Sequence, residues 1–546
     1  MFKCKQLLRR ICVVSYVFLL CGGLVNASNL VSKTNTLIGT QGNGWASGYL
    51  YPGATYPFGM VQFTPTYFTK QLGFVINQLS GAGCDHMGNF PTLPIAGALR
   101  VSPDSILNMQ TPVGKEIGTA GYYAATVDHS IRAELTVTER TGMARYTFSS
   151  KEKQGTVIIG GGVAATPIQV AAIKITGPHS CEGYAEGGAF CGIPTPYKVY
   201  FVAEFDADAE SFGTWKEERL HANHTFAEGS HSGVYFTFPL KEGNQAVQYK
   251  IGVSYVSVEN ARENLRVENP AWDFSAVRQA TQDKWNEYLG KIEVEGDNED
   301  RQMQFYTHLY RSLIHPNVCS DVNGEYMGAD SQVHKTARKF YTSFSNWDTY
   351  RTQTALIAML APEETSDIVM SHYLFAEQSG GGFPRWVLAN IETGVMQGDP
   401  TPILVANAYA FGARTYDPRT LLRTMRYGAE VPGANSQGVL TRPGLEQYLE
   451  KGYYDASILL EYTSSDFAIG RFALQACNDE PVCNWYTQRA MNWKNLFNKE
   501  TGWLQSRNED GSWKRYDADW RESTYKNYFW MVPYDLQGLI DSIGGK

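Results

Sequence analysis

The side chains best suited to chemistry here are carboxylates set among tryptophans and tyrosines. Four stretches concentrate them: Asn35–Gln62 (NTLIGTQGNGWASGYLYPGATYPFGMVQ), Leu79–Pro94 (LSGAGCDHMGNFPTLP), Asn346–Arg351 (NWDTYR) with Arg385–Asp399 (RWVLANIETGVMQGD), and Trp520–Asp535 (WRESTYKNYFWMVPYD). Cleavage of a glycosidic bond needs two carboxyl groups, one protonating the leaving oxygen and one acting as base or nucleophile. Aromatic rings suit the C–H faces of sugars. Competing chemistries lack their signatures: there is no Walker A loop, dinucleotide fingerprint, His-Glu-x-x-His or Gly-x-Ser-x-Gly elbow. Gly160–Gly162 and Gly380–Gly382 lack the flanking context of a phosphate cradle and read as loops. The ten histidines include no i, i+4 pair of metal-binding type. With 55 Asp and Glu residues, composition cannot choose the reacting pair, so location in these loop-rich segments must narrow it.

The elements that would position them change character along the chain. Before about residue 270 the sequence reads as strand: Val199, Phe201, Ala203 and Phe205 alternate with Tyr200, Val202 and Glu204, and Ile251, Val253, Tyr255 and Ser257 alternate likewise. Short Gly and Pro punctuation fits a large antiparallel sandwich. Helical spacing follows. Asp273 to Leu289 reads as a linker helix, Phe305, Leu309 and Leu313 mark the next, and stretches 349–360, 362–377, 403–411, 455–476 and 481–497 continue the pattern. The expected division is a signal peptide over 1–27, a sandwich over 28–258, linker helices over 259–300 and a helical unit over 301–546.

Composition bounds partner and compartment. Net charge is −8, from 47 Lys and Arg against 55 Asp and Glu, which argues against nucleic acid. Hydrophobic residues at 43% supply cores for several domains. The 33 tyrosines and 12 tryptophans fit either sugar handling or β-rich cores. Lys3, Lys5, Arg9 and Arg10 precede an apolar run from Ile11 to Val25, and Val25-Asn26-Ala27 is a small-residue cleavage site, so export is expected. Leu20 is bulky for lipid attachment at Cys21, which disfavours a lipoprotein. No later segment reaches the length of a membrane span. Of the cysteines beyond the leader, Cys181 and Cys191 bracket a Gly-rich loop and Cys477 and Cys483 a tight turn, so both pairs are candidate local disulfides. Cys84 and Cys319 have no obvious partners.

Taken in order, PGATYPFGMVQ, LSGAG, WDTYR, LANIETGVMQGD and the Glu522-to-Asp535 string resemble glycoside hydrolase family 92, the calcium-dependent exo-acting α-mannosidases. The resemblance runs over nearly the whole mature chain. It implies an antiparallel β-supersandwich followed by an (α/α)6 toroid, an inverting mechanism, Ca2+ as cofactor and mannose-containing glycans as partners. Within it, Glu522 matches the general acid. Such an acid must hold its proton near neutrality, and Trp520, Tyr525, Tyr528 and Trp530 are candidates to supply a low-polarity surrounding. Ser523, Thr524 and Lys526 depart from the family's residues there. Asp348 matches a carboxylate that grips sugar hydroxyls, or it caps the helix opening at Thr349. Arg351 is a hydroxyl donor or that carboxylate's partner. Glu392 and Asp399 match motif carboxylates either beside the sugar or one layer behind it. Trp347 stacks or packs, and Trp386 packs. From the sandwich, Asp85 and His86 would reach across, and Trp45 is a candidate platform. The family's catalytic base lies in a Gly-Asn-Asp-Asp-x-Gly-Gln-Met-Ser segment that does not occur in this sequence, and the ring is expected to be incomplete in this chain. No calcium ligand is assigned. The linkage expected is α-1,2; the alternative is a non-catalytic remnant or mannose-glycan-binding protein.

Overall fold

A computed structural model describes residues 29–40, 48–65, 73–104, 113–242 and 245–545. Trp45, the leader and Cys21 lie outside them. Two large antiparallel sheets form the N-terminal unit. One runs in the order Ala54–Thr55, Gln62–Pro65, Phe74–Val75, Thr92–Ala96, Gln154–Gly160, Ser232–Pro239, Ser211–Lys216, Arg219–Ala222; the other in the order Phe226–Glu228, Ile168–Gly177, Ser180–Phe190, Ile193–Phe205, Ala246–Ser254, Thr141–Thr147, Ile131–Val137, Tyr122–Val127, Val113–Thr119. The alternation Val199, Phe201, Ala203, Phe205 faces inward as its period requires, and meets Phe63, Val157, Ile159, Trp215 and Phe236 in one apolar core. The strand expected to run to Ser257 ends at Ser254, because the Ser257 hydroxyl accepts from the Asn260 amide and opens the first linker helix.

Three helices lead out of the sandwich: α1 Val258–Glu268, α2 Phe274–Leu289 and α3 Glu299–Ser312. Helix α1 lies so close to the last strand that a Cβ on Gly252 would stand 2.3 Å from the Ala261 carbonyl. Helix α2 is pinned by Trp285, fully buried, whose indole donates to the Thr55 carbonyl at 2.7 Å. The helical unit follows with α4 Asn346–Thr349, α5 Gln353–Leu360, α6 Pro362–Gln378, α7 Thr401–Ala410, α8 Pro418–Glu430, α9 Leu445–Lys451, α10 Ala456–Cys477, α11 Glu480–Ala490, α12 Tyr525–Tyr528 and α13 Leu536–Ser542. The expected helix 349–360 is two pieces, and 481–497 ends in a 3-10 turn over Met491–Leu496. Helix α8 was not among the expected stretches, although Asp417 caps it, Pro418 opens it and Leu421, Leu422, Met425 and Ala429 line its buried face.

The cysteine pairing corrects both expected disulfides. Cys84 bonds Cys191, with Cα atoms 5.2 Å apart, while Cys181, Cys319, Cys477 and Cys483 are free. Cys181 and Cys191 cannot meet because the strand Ser180–Phe190 holds them roughly 30 Å apart. Cys477 ends α10, and the buried Cys483 turns its sulfur toward Thr487 of its own helix.

Candidate active site

The two units meet along a path of aromatic contacts. The tip of the hairpin between Ser180–Phe190 and Ile193–Phe205 carries Phe190, stacked on Trp386 with centroids 4.2 Å apart. The disulfide ties that tip to the loop around Cys84. Trp386, buried as expected, bridges to Ser345 at the start of α4. Asp348 follows one turn on. The first cap position of α4 belongs to Ser345, so Asp348 is not a helix cap. Its carboxyl is exposed but crowded by surrounding protein. That desolvation pushes it above the usual carboxylate range, opposed by the Trp386 indole and the Arg351 guanidinium and assisted by the negative charge of Glu522. Residues 174 positions apart in the chain therefore sit within electrostatic reach of one another.

Glu522 lies in the loop between the strand Trp503–Leu504 and α12, solvent-exposed, with φ of 50°. A left-handed backbone at a β-unbranched but bulky residue is uncommon and tends to mark functional positions. The aromatic residues expected around it pack on one another and on their neighbours. Trp520 lies against Tyr528 at 5.4 Å, and Tyr525 contacts Trp503 and Tyr516 at 4.8 and 4.9 Å. Trp530 is 62% exposed and joins these rings through Phe529, which lies 5.3 Å from it and from Trp503. Arg351 spans the gap between the two segments: its guanidinium lies 4.9 Å from the Trp347 ring and reaches Met531 Sδ at 3.6 Å.

Other expected site residues have different neighbours. Glu392 is buried and accepts the backbone amides of Arg385 (2.6 Å), Trp386 (3.2 Å) and Gly394 (2.9 Å), which fastens the hairpin Val387–Leu388/Ile391–Glu392. Desolvation raises its carboxyl. Asp399 is buried against Arg442 at 2.8 Å, and Arg442 in turn binds Asp466. Neither faces solvent. His86 corrects its expected reach across the interface. It is fully buried, its Nε2 accepts from the Leu79 amide, its Nδ1 donates to the Cys84 carbonyl, and burial lowers it to about 4, so it stays a neutral loop brace. Asp85 is half-buried, with its carboxyl raised by desolvation.

Glu461 was not anticipated. It stands in the middle of α10, fully buried, and accepts from the Trp347 indole at 3.0 Å and the Tyr350 hydroxyl at 3.2 Å. The sequence marks it only weakly: it follows the apolar residues Ile458–Leu460, but Asp466 stands in the same helix.

Calcium is the cofactor the resemblance implies. A hard cation needs six to eight oxygens. Among the described residues no three His, Cys, Asp or Glu side chains converge as a ligand set, and Asp348 and Glu522 have Arg351 and Arg521 for neighbours.

The family follows from comparison with known proteins. Residues 34–254 match the glycosyl hydrolase family 92 N-terminal domain and residues 260–546 the glycosyl hydrolase family 92 catalytic domain. The chain belongs to glycosyl hydrolase family 92. Membership makes it a glycoside hydrolase by lineage. Among family structures, the inverting mannosidase BT2199 from Bacteroides thetaiotaomicron VPI-5482 is 26% identical with a TM-score of 0.85, over 94% of this chain and 72% of that one. The α-mannosidase BT3965 from Bacteroides thetaiotaomicron, solved also with mannoimidazole, superposes with a TM-score of 0.86 at 24% identity, over 95% of this chain and 72% of that one in the mannoimidazole complex. An uncharacterised secreted glycosidase of Arthroderma benhamiae is 25% identical over 95% of this chain and 72% of its own length. Among the described residues no helix is long and apolar enough to cross a membrane.

Proposed function

We propose that this family 92 protein is an exported exo-α-mannosidase, of α-1,2 type, that removes terminal mannose from glycans with inversion. The observation that carries the reading is the convergence of Asp348, Trp347 and Arg351 with Glu522 at the sandwich–toroid junction. Glu522 donates the proton to the leaving oxygen. Its exposed position leaves it reachable by a bound glycoside. Asp348 accepts hydroxyl protons of the terminal sugar, and a carboxylate engaging two hydroxyls fixes the ring and gains strength as charge develops. Arg351 and Trp347 form the wall beside it, and Asp85 approaches from the sandwich. An inverting reaction also needs a base on the opposite face, with the carboxyls roughly 6.5–9.5 Å apart to admit water. No residue of this sequence is assigned that role. The second reading is a mannose-glycan-binding protein without catalysis.

Calcium dependence enters through the family and not through a ligand set in the described residues. The test is mannose release from an α-1,2-linked mannobiose with calcium or a chelator, beside Glu522→Gln and Asp348→Asn. Release that requires Glu522 supports the enzyme. Binding without release, lost in Asp348→Asn, supports the second reading. Neither binding nor release would sink both.

A further inference from the structure

Glu461 is a buried carboxylate that none of the roles above uses. Three groups from one five-residue stretch turn toward it. Trp347 Nε1 donates to Oε1 at 3.0 Å, Tyr350 Oη donates to Oε2 at 3.2 Å, and Arg351 Nη2 stands 3.7 Å from Oε1. It is the one carboxylate paired with Arg351 among the described residues, and Arg351 keeps 40% of its side chain exposed toward the junction. The guanidinium lies 4.9 and 4.8 Å from the Trp347 and Tyr350 rings, so Glu461, Trp347, Tyr350 and Arg351 form a single packed unit. From the other side Gly398 presses on α10 so closely that a Cβ there would meet Glu461 Cβ at 2.6 Å. Helix packing alone would be served better by an apolar side chain, since burying a carboxylate is expensive unless its partners are specific. An amide in its place could accept at one oxygen only and would turn an NH2 toward a donor.

We infer that Glu461 is a positioning residue for the sugar site: its Oε1 sets the Trp347 ring and the Arg351 guanidinium against which a terminal mannose rests, while its Oε2 holds Tyr350 beside them. This deepens the proposed function and rests on it. The charged and titratable groups facing Glu461 are Arg351, Tyr350, Arg385 and, from α12, Tyr528. Burial raises both tyrosines beyond the physiological range. Glu461 itself is pushed up to about 7 by desolvation, with Arg351 the largest opposing influence. As pH falls through that value the carboxylate gains a proton and loses its hold on Arg351.

The experiment uses the full chain and methyl α-mannoside, a neutral probe, so any pH dependence belongs to the protein. Tryptophan fluorescence follows binding from pH 5.5 to 8.5 for the wild type and Glu461→Gln, with thermal melts to confirm folding. The wild type is expected to bind about tenfold more tightly at pH 8.5 than at pH 5.5, the scale of one charge-assisted contact, while Glu461→Gln binds at the weak, acid-form level throughout. Equal affinity and equal pH profiles for the two proteins would overturn the assignment, as would a uniform loss at every pH that tracks a lowered melting temperature. Should the wild type bind no probe at any pH, the mannoside reading fails. The positioning claim is then read from the free protein: Trp347 emission should titrate near pH 7 in the wild type and not in Glu461→Gln or Trp347→Phe. Absence of that titration overturns it.

Discussion

Replacing Asp466 with Asn removes one negative charge from the centre of the helical unit. Asp466 is fully buried on α10 and accepts from Arg442 Nη1 at 2.8 Å, Arg489 Nε at 2.7 Å, Arg489 Nη2 at 2.5 Å and Tyr448 Oη at 2.7 Å. Arg442 keeps Asp399 as a second partner at 2.8 Å, whereas Arg489 retains only the Ala429 carbonyl at 3.1 Å. The variant therefore strands most of one buried guanidinium and turns an amide NH2 toward another. Breaking a buried pair by deleting one partner costs about 3–5 kcal/mol. For a unit of this size that lowers the melting temperature by on the order of 10 °C. The sign with pH is fixed too. Arg489 and Arg442 hold the Asp466 carboxyl below its ordinary value. Its contribution is then fully present above the unfolded value of about 3.9 and disappears as pH falls through the folded one. Thermal melts should show a constant gap between wild type and Asp466→Asn from pH 5 to 8 that closes only in strong acid. A gap under about 1 kcal/mol across that range would refute the claim that Asp466 stabilises the helical unit by pairing these buried arginines.

Three further outcomes follow from particular contacts. Thiol labelling of the unfolded, unreduced mature protein should find Cys181, Cys319, Cys477 and Cys483 reactive and Cys84 and Cys191 protected, and Cys191→Ala should lower stability by about 2–5 kcal/mol in denaturant melts. Gly398→Ala combines a φ of 75° with a clash against Glu461; it should cost about 1–3 kcal/mol in the same melts and weaken sugar binding more than stability alone explains. Trp386→Ala removes the ring that joins Phe190 to Asp348, and a loss of about 3–5 kcal/mol is expected with loosened docking of the two units, read as faster proteolysis between them.

Much of this architecture was legible because periodicity is a local property. Alternation at Val199–Phe205 and helical spacing at 362–377 needed nothing distant to be read correctly. Residue roles were harder to read, because they depend on partners that the sequence does not display. Cys84 and Cys191 are 107 positions apart, and only the hairpin's docking brings them together, so short spacing pointed to the wrong bonds. His86 reads as a reaching polar group until both ring nitrogens are seen bound to the Leu79 and Cys84 backbone. Glu392 and Asp399 sit in motif positions, yet they hold the backbone and Arg442 that shape the junction. Glu461 was missed because its importance lies in what turns toward it, not in its own surroundings in sequence.

The claim at the centre of this account is that Glu522 protonates the leaving group of an α-mannoside and that the sugar leaves with inversion. The most direct measurement is proton NMR of α-1,2-mannobiose incubated with the purified chain and calcium, beside Glu522→Gln. The account predicts release in which β-mannose forms first and which falls by about 10²–10⁴-fold in the variant, the range of general acid catalysis. Formation of α-mannose first, or release at equal rates from both proteins, would contradict it.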